Sequence, residues 1–388
     1  MATGHVEKRG KKWQVVLELG RDSQGKRIRK YVSPKCETRK EATTLLAMKI
    51  AEIERGEYID PEAGQVTVET LMEQWLNSKG NIKPTTRENY EIVIESRITP
   101  RIGSIPLSKL TPLHIEAFKN ELLRKGRSDG KGGLSSRSVE YTLVILKSAL
   151  EKAVDWELIP RNPARNIEMP DTDDSKDVRP FTVEQSKRIM ETVKGERLYA
   201  AFVVLLATGI RRGELLGLRR KDILWKTKQL YIRQALVRRN GGLEFSSTKN
   251  KQKRKITVSE NVLNVLRKHL NKQNDERLKA EEYNDLDLVF CRPNGDPINP
   301  STFTHYFTDT IMPKAGITNE QLEENETYNL HSMRHTTATL LLKHGYSMKQ
   351  IQEILGHTSI TTTMDIYTEV DSELEERAAM ELDRIVFG

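Results

Sequence analysis

The sequence predicts a mainly α fold with small β elements, a multidomain α+β chain. Three observations carry this reading. Apolar residues recur at helical spacing through most of the chain, with capping residues at several starts. Strand-like alternation is confined to two stretches, 13–32 and 229–258. Two polar stretches, 57–65 and 170–177, interrupt the pattern and read as linkers. They divide the 388 residues into 1–60, a small sheet with one helix, 65–168, a helical unit, and 178–388, a mostly helical unit with a β-hairpin.

In the first part, Trp13 to Leu19 is strand-like and Gly20 to Gly25 reads as a turn. Lys26 to Val32 then alternates basic and apolar residues, the period-2 pattern of a half-exposed strand. Residues 39–55 read as a helix with Leu45, Leu46, Met48, Ile50 and Ile53 among its apolar positions, ended by Gly56. In the second part, Val68 to Leu76 is helical and Pro84 opens a helix to about Arg97. Thr111 reads as an N-cap, with Pro112 at the first helical position and Glu116 as the capping acid. Ser135 or Ser136 starts a helix that runs to about Trp156. The third part holds an apolar helix from Tyr199 to Ala207 that stops at Gly209, and a strand pair interrupted by Asn240-Gly241-Gly242.

Composition bounds the partners. The net charge is +8, and residues 1–40 alone hold twelve Lys/Arg against four Asp/Glu, while the remainder is balanced. A basic head on a neutral body points to an anionic partner, nucleic acid first. Lys26, Arg27, Arg29 and Lys30 are the candidate contacts, although the alternation leaves open which strand face they share. No run of about 18 apolar residues exists, and the N-terminus has no apolar stretch of the secretory kind. Two cysteines, Cys36 and Cys291, make neither a disulfide framework nor a zinc site, so a reducing cytoplasm is expected.

Four clusters in the third part could carry chemistry. In Thr208-Gly209-Ile210-Arg211-Arg212-Gly213-Glu214, Arg211 lies at a helix start, where backbone N–H groups favour an anion. Its guanidinium fits phosphate, and Glu214, one turn on, could hold it; a surface Arg–Glu pair is the competing reading. Between 249 and 255 the hairpin carries five basic residues, Lys249, Lys251 and Lys253 among them, suited to DNA or simply to solvent. His331-Ser332-Met333-Arg334-His335 opens a helix with His331 and Arg334 on one face. A zinc reading of His331 and His335 is poor, because Ser332 stands where zinc proteases carry Glu and Arg334 would repel a dication. Finally, Ser347 to Leu355 reads as a helix with a Ser-x-x-Gln capping box through Gln350, ended by Gly356, with His357 next and Tyr367 ten residues later. A buried His and a core Tyr compete there, as does a helix-turn-helix over 336–355. Together the clusters offer two arginines, a lysine, two histidines and a tyrosine. That set fits attack on a phosphodiester: guanidiniums for the nonbridging oxygens, Lys and His for proton transfer, Tyr as nucleophile. A free tyrosine has a pKa of about 10, so neighbouring cations must favour its phenolate.

In this order and at these separations the segments resemble the tyrosine recombinases, specifically the integrases of phages and integrative elements. The resemblance implies that Arg211 and Arg334 grip the scissile phosphate and that Lys249 is the acid for the leaving 5′-hydroxyl, with Lys251 and Lys253 as weaker substitutes. It implies that His331 and His357 assist, that Tyr367 forms a 3′-phosphotyrosyl link, and that Glu214 supports the site. No metal or other cofactor is implied. Residues 1–60 resemble an arm-type DNA-binding domain, 65–168 a SAM-like core-binding domain and 178–388 the catalytic domain. The implied partners are double-stranded DNA at core and arm attachment sites and a homo-tetramer on that DNA, with an excisionase and a host DNA-bending protein as candidate accessory partners. The implied setting is the cytoplasm of a bacterial host. The tail from Asp371 to Gly388 is expected to pack on a neighbouring subunit, with a terminal helix packed on its own subunit as the competing reading. A type IB topoisomerase or a non-catalytic DNA-binding regulator are the alternatives.

Overall fold

A computed structural model describes residues 3–21, 27–54, 65–171, 177–239, 241–247, 253–323 and 326–356. The chain divides into two compact units, 1–174 and 175–388.

The first unit begins with an antiparallel sheet in the order β1-β2-β3: β1 Thr3–Arg9, β2 Lys12–Arg21 and β3 Arg27–Cys36. Helix α1, Arg39–Glu54, backs it, and Val15, Leu17, Val32 and Ala42 are buried between them. The register pairs Val15 with Val32 on the helix side and Val16 with Tyr31 and Glu18 with Arg29 on the other. Strand β1 was not legible, because Val6 is its one large apolar residue. Gly20 continues β2 rather than opening the turn. Of the basic candidates, Arg29 is half-exposed and ion-paired to Glu18 at 3.3 Å. Lys30 is part-buried. Lys26 and the side chain of Arg27 lie outside the described residues, as does the stretch 55–64.

The helical part contains α2 Val68–Ser78, α3 Pro84–Val93, α4 Thr99–Ile102, α5 Pro112–Lys125 and α6 Ser136–Asp155. Its core joins Leu71 and Trp75 of α2, Ile115, Phe118 and Leu122 of α5, and Val139, Leu143, Leu146 and Leu150 of α6. The i, i+3/i+4 spacing within each set puts them on one face. The expected single helix from Pro84 to Arg97 instead passes through a π turn, Ile94–Ile98, before α4. Pro100 supplies no N–H to the carbonyl of Ser96, and the Arg101 side chain donates to that oxygen at 3.1 Å. Helix α5 also corrects the capping expectation. Thr111 and Pro112 stand as read, but the reciprocal partner is His114, whose Nδ1 accepts from the Thr111 backbone at 3.2 Å. Glu116 lies too far along the helix to reach back.

The second unit is built on α8, Tyr199–Thr208, whose Ala200, Ala201, Phe202, Val204 and Leu205 are buried. Around it stand α7 Val183–Thr192, α9 Arg212–Leu216, α10 Glu260–Lys279, α11 Pro300–His305, α12 Met312–Lys314, α13 Leu330–Lys343 and α14 Met348–Leu355. A stack of Phe181, Phe202, Phe303, Phe307 and Tyr328 fills the space between them. The expected strand pair resolves into two small sheets. β5 Ile223–Leu224, β6 Gln229–Ile232 and β9 Arg254–Thr257 form one, in the order β5-β6-β9. β7 Gln234–Arg239 and β8 Gly242–Ser247 form a hairpin. A parallel pair, β4 Asp177–Val178 with β10 Glu326–Thr327, lies where a polar linker was expected to end. Among the described residues no helix is long and apolar enough to cross a membrane, and Cys36 and Cys291 are free.

Candidate active site

Three chain segments meet at the C-terminal end of α8. Gly209 caps that helix in the left-handed region, φ 58°, and a Cβ there would stand 2.4 Å from Leu355 Cδ2. The left-handed φ favours glycine at this position, and its missing Cβ leaves room for the Leu355 side chain. The chain then turns into α9 with Arg211 at its N-cap. Helix α13 starts at Leu330 under an Asn329 cap, which sets His331 and Arg334 in its first turns. Helix α14 has the expected Ser347–Gln350 capping box and ends at Gly356, φ 67°.

Both arginines bind carbonyl oxygens that helix ends leave without partners. Arg334 is 4% exposed. Its Nη2 donates to Leu355 O at 2.9 Å, and its Nη1 donates to Gly209 O. Burial, then the charge of Arg211, lowers its pKa to about 9, so it stays charged at neutral pH. Arg211 donates from Nη2 to Gly356 O at 2.9 Å and from Nη1 to Glu214 Oε1 at 3.2 Å. Its side chain remains 31% exposed. A guanidinium has five N–H groups, so donors remain for an anion.

Glu214 does hold Arg211, and more besides. Its Oε2 accepts the Arg211 backbone N–H at 3.1 Å, so a protein carboxylate, not a free anion site, caps α9. Arg254 of β9 donates to both oxygens, at 3.0 and 2.7 Å. Burial resists ionisation of Glu214, but Arg254 and Arg211 outweigh it and hold its pKa below the usual value. Sequence reasoning counted Arg254 among the hairpin's basic residues without singling it out. Its alternation with Lys253 and Lys255, which are exposed, was the one available signal.

His331 is open to solvent yet crowded. Desolvation of the packed side of the ring, and then His335, Arg334, Arg211 and Arg212, push its pKa down to about 4. The rings of His331 and His335 meet edge to face at 5.0 Å. Among the described residues no group of three His, Cys, Asp or Glu could hold a metal. The structure thus brings together Arg211, Glu214, His331 and Arg334. Lys253 is exposed next to Arg254. Lys249, Lys251, His357 and Tyr367 lie outside the described residues, His357 immediately after Gly356.

Family matches and full-length relatives define the chain as a site-specific DNA recombinase of the tyrosine class. Residues 179–373 match the Phage integrase family, and residues 67–123 match the phage integrase N-terminal SAM-like domain. The chain belongs to the phage integrase family. It is 29% identical over 390 residues to a tyrosine recombinase XerC-like protein of Caldanaerobacter subterraneus subsp. tengcongensis, covering 95% of each chain. It is 26% identical to the ICEBs1 integrase of Bacillus subtilis, covering 96% of this chain and 97% of that one. Among solved structures it is similar to the Tn1549 transposon integrase in complex with transposon right end DNA, with TM-score 0.65, 24% identity and coverage of 80% and 99%. A lambda integrase dimer bound to a COC′ core site matches with TM-score 0.59, 20% identity and 93% coverage of each chain.

Proposed function

We propose that this recombinase integrates and excises a mobile element through a 3′-phosphotyrosyl intermediate. The convergence of Arg211 and Arg334 on the carbonyls of Gly209, Leu355 and Gly356 carries this reading. It gathers two guanidiniums beside the residue that precedes His357. In the reaction, Tyr367 Oη loses its proton to a neutral histidine of the site and attacks the scissile phosphorus, and the bond to the 5′-oxygen breaks. Lys249 gives that oxygen its proton. Arg211 and Arg334 hold the nonbridging oxygens, where negative charge develops. His331, neutral at pH 7, and His357 assist by hydrogen bonding and proton transfer. Attack by a 5′-hydroxyl of the partner duplex reverses the chemistry, and the phosphotyrosine keeps the energy for rejoining. No metal or other cofactor takes part in this scheme.

The three-part division serves DNA binding in this reading: 1–60 for arm sites, 65–168 for the core site and 178–388 for catalysis. A tetramer holds two duplexes and passes through a Holliday junction. An excisionase and a host DNA-bending protein are candidate partners, and the work is done in the cytoplasm of a bacterial host. The Tn1549 integrase bound to the end of its transposon and the lambda integrase tetramer bound to a Holliday junction are the models for this assembly.

The test uses a nicked suicide duplex carrying the element's end. A denaturation-resistant protein–DNA adduct is expected from the wild type without metal and not from Tyr367→Phe. An adduct from both proteins, or from neither when DNA binding is intact, overturns the reading.

A further inference from the structure

Arg254 has no part in the scheme above, yet it makes the bidentate ion pair at the centre of the site. Glu214 is 3% exposed and accepts four N–H groups, two from Arg254 and two from Arg211, one of the latter being a backbone amide. Two parallel bonds from one guanidinium to one carboxylate fix its plane as well as its distance. Without Arg254, each oxygen of this buried carboxylate would keep one donor, and its orientation would relax. Arg254 also lies against Gly356. A Cβ on that glycine would stand 2.8 Å from the guanidinium carbon and Nε of Arg254. Arg211 rests on two described supports, the Glu214 carboxylate and the Gly356 carbonyl; Arg254 bonds the first and lies beside the residue that carries the second. Its own backbone is fixed in β9, opposite Ile232 of β6.

We propose that Arg254 is a positioning residue that holds the Arg211 guanidinium, through Glu214 and Gly356, in the orientation that receives the scissile phosphate. The proposal rests on the reading that Arg211 grips that phosphate. It requires the fork of an arginine, because the point charge of a lysine cannot engage both carboxylate oxygens in plane.

The experiment uses the full chain as wild type, Arg254→Lys and Glu214→Asp, the last keeping the charge while withdrawing the carboxylate. Each is assayed on two suicide duplexes, one ordinary and one with sulfur replacing the bridging 5′-oxygen, a leaving group that needs no proton. DNA affinity and thermal melting are measured alongside. Both variants are expected to stay folded, to bind DNA as the wild type does, and to cleave about tenfold to a hundredfold more slowly on both duplexes. The doubly substituted protein is expected to be no slower than the slower single variant, since both changes act on one seat. Wild-type cleavage by Arg254→Lys overturns the proposal. So does a deficit that tracks lost DNA affinity or early melting in both variants, which marks a merely structural role. A deficit confined to the oxygen duplex also overturns it, by assigning Arg254 to the proton donor instead. A wild type that forms no adduct overturns the functional reading itself.

Discussion

Arg211 Nη2 donates to the carbonyl oxygen of Gly356 at 2.9 Å, across 145 positions of sequence. The contact joins the residue that opens α9 to the last turn of α14, one position before His357. Any change in the backbone at Gly356 therefore moves Arg211.

Gly356→Ala tests that link. The residue sits at φ 67°, and a Cβ would collide with Arg254. A non-glycine residue held in that region costs about 1–3 kcal/mol. Urea unfolding is expected to show a loss of that order, and single-turnover cleavage is expected to fall further than DNA affinity. Unchanged cleavage would break the link.

Glu214→Gln removes the charge between two arginines. Because Arg254 is 14% and Arg211 31% exposed, the cost is expected near the lower end of about 3–5 kcal/mol. The folded-state pKa of Glu214 is depressed, so between that value and the ordinary 4.5 the unfolded chain binds the extra proton. Stability contributed by Glu214 is therefore complete above 4.5 and lost as pH falls through the folded value. Urea midpoints across the acid range should fall less steeply for Glu214→Gln than for wild type.

His331 should titrate near 4, with its assignment fixed by the signal missing in His331→Gln. Between there and 6.5 the unfolded chain binds a proton that the folded chain refuses, so this group makes the fold less stable as pH falls through that window. The ring's solvent exposure keeps the effect small. A bound duplex should raise the midpoint, since a nearby phosphate favours the imidazolium. NMR of the imidazole protons with and without a core-site duplex reads both; a midpoint at or above 6.5 in the free protein contradicts the site's electrostatics.

Phe118→Ala empties the centre of the helical part of the first unit, where Phe118 is 2% exposed. A loss of about 3–5 kcal/mol is expected from urea unfolding. Ile92→Ala, at an exposed position of α3, should change stability by no more than about 0.5 kcal/mol.

Arg29→Ala tests the open face of the N-terminal sheet. If Arg29 leaves Glu18 for a phosphate, the slope of log affinity against log salt on an arm-site duplex should shrink by about 0.9. Glu18→Gln frees the arginine and should raise affinity at low salt. An unchanged slope removes Arg29 from the interface.

Much of the site's local geometry was legible because neighbouring residues set it. The Ser347–Gln350 box and Gly356 bound α14 where the sequence places it, and Ser135 caps α6. Thr208-Gly209 ends α8, and the three-residue step from Arg211 to Glu214 gives their contact. Such features need only backbone geometry within one turn of helix. Thr111 shows the limit of this reading, since which side chain returns to the cap depends on reach, and His114 has it.

The sequence by itself determined the helical character, most of the cap residues it named, the order of the chemical residues and, through that order, the family. The tertiary structure alone decided which groups share a partner. Strand β4 exists because Val178 finds Thr327, and β1 because a polar edge finds β2. Arg254 reaches Glu214 across 40 positions, and Arg334 reaches Gly209 across 125. No periodicity encodes such pairs. A buried charge or an orphaned helix carbonyl must be satisfied by whatever donor the packed core delivers, and that is fixed only when distant segments meet.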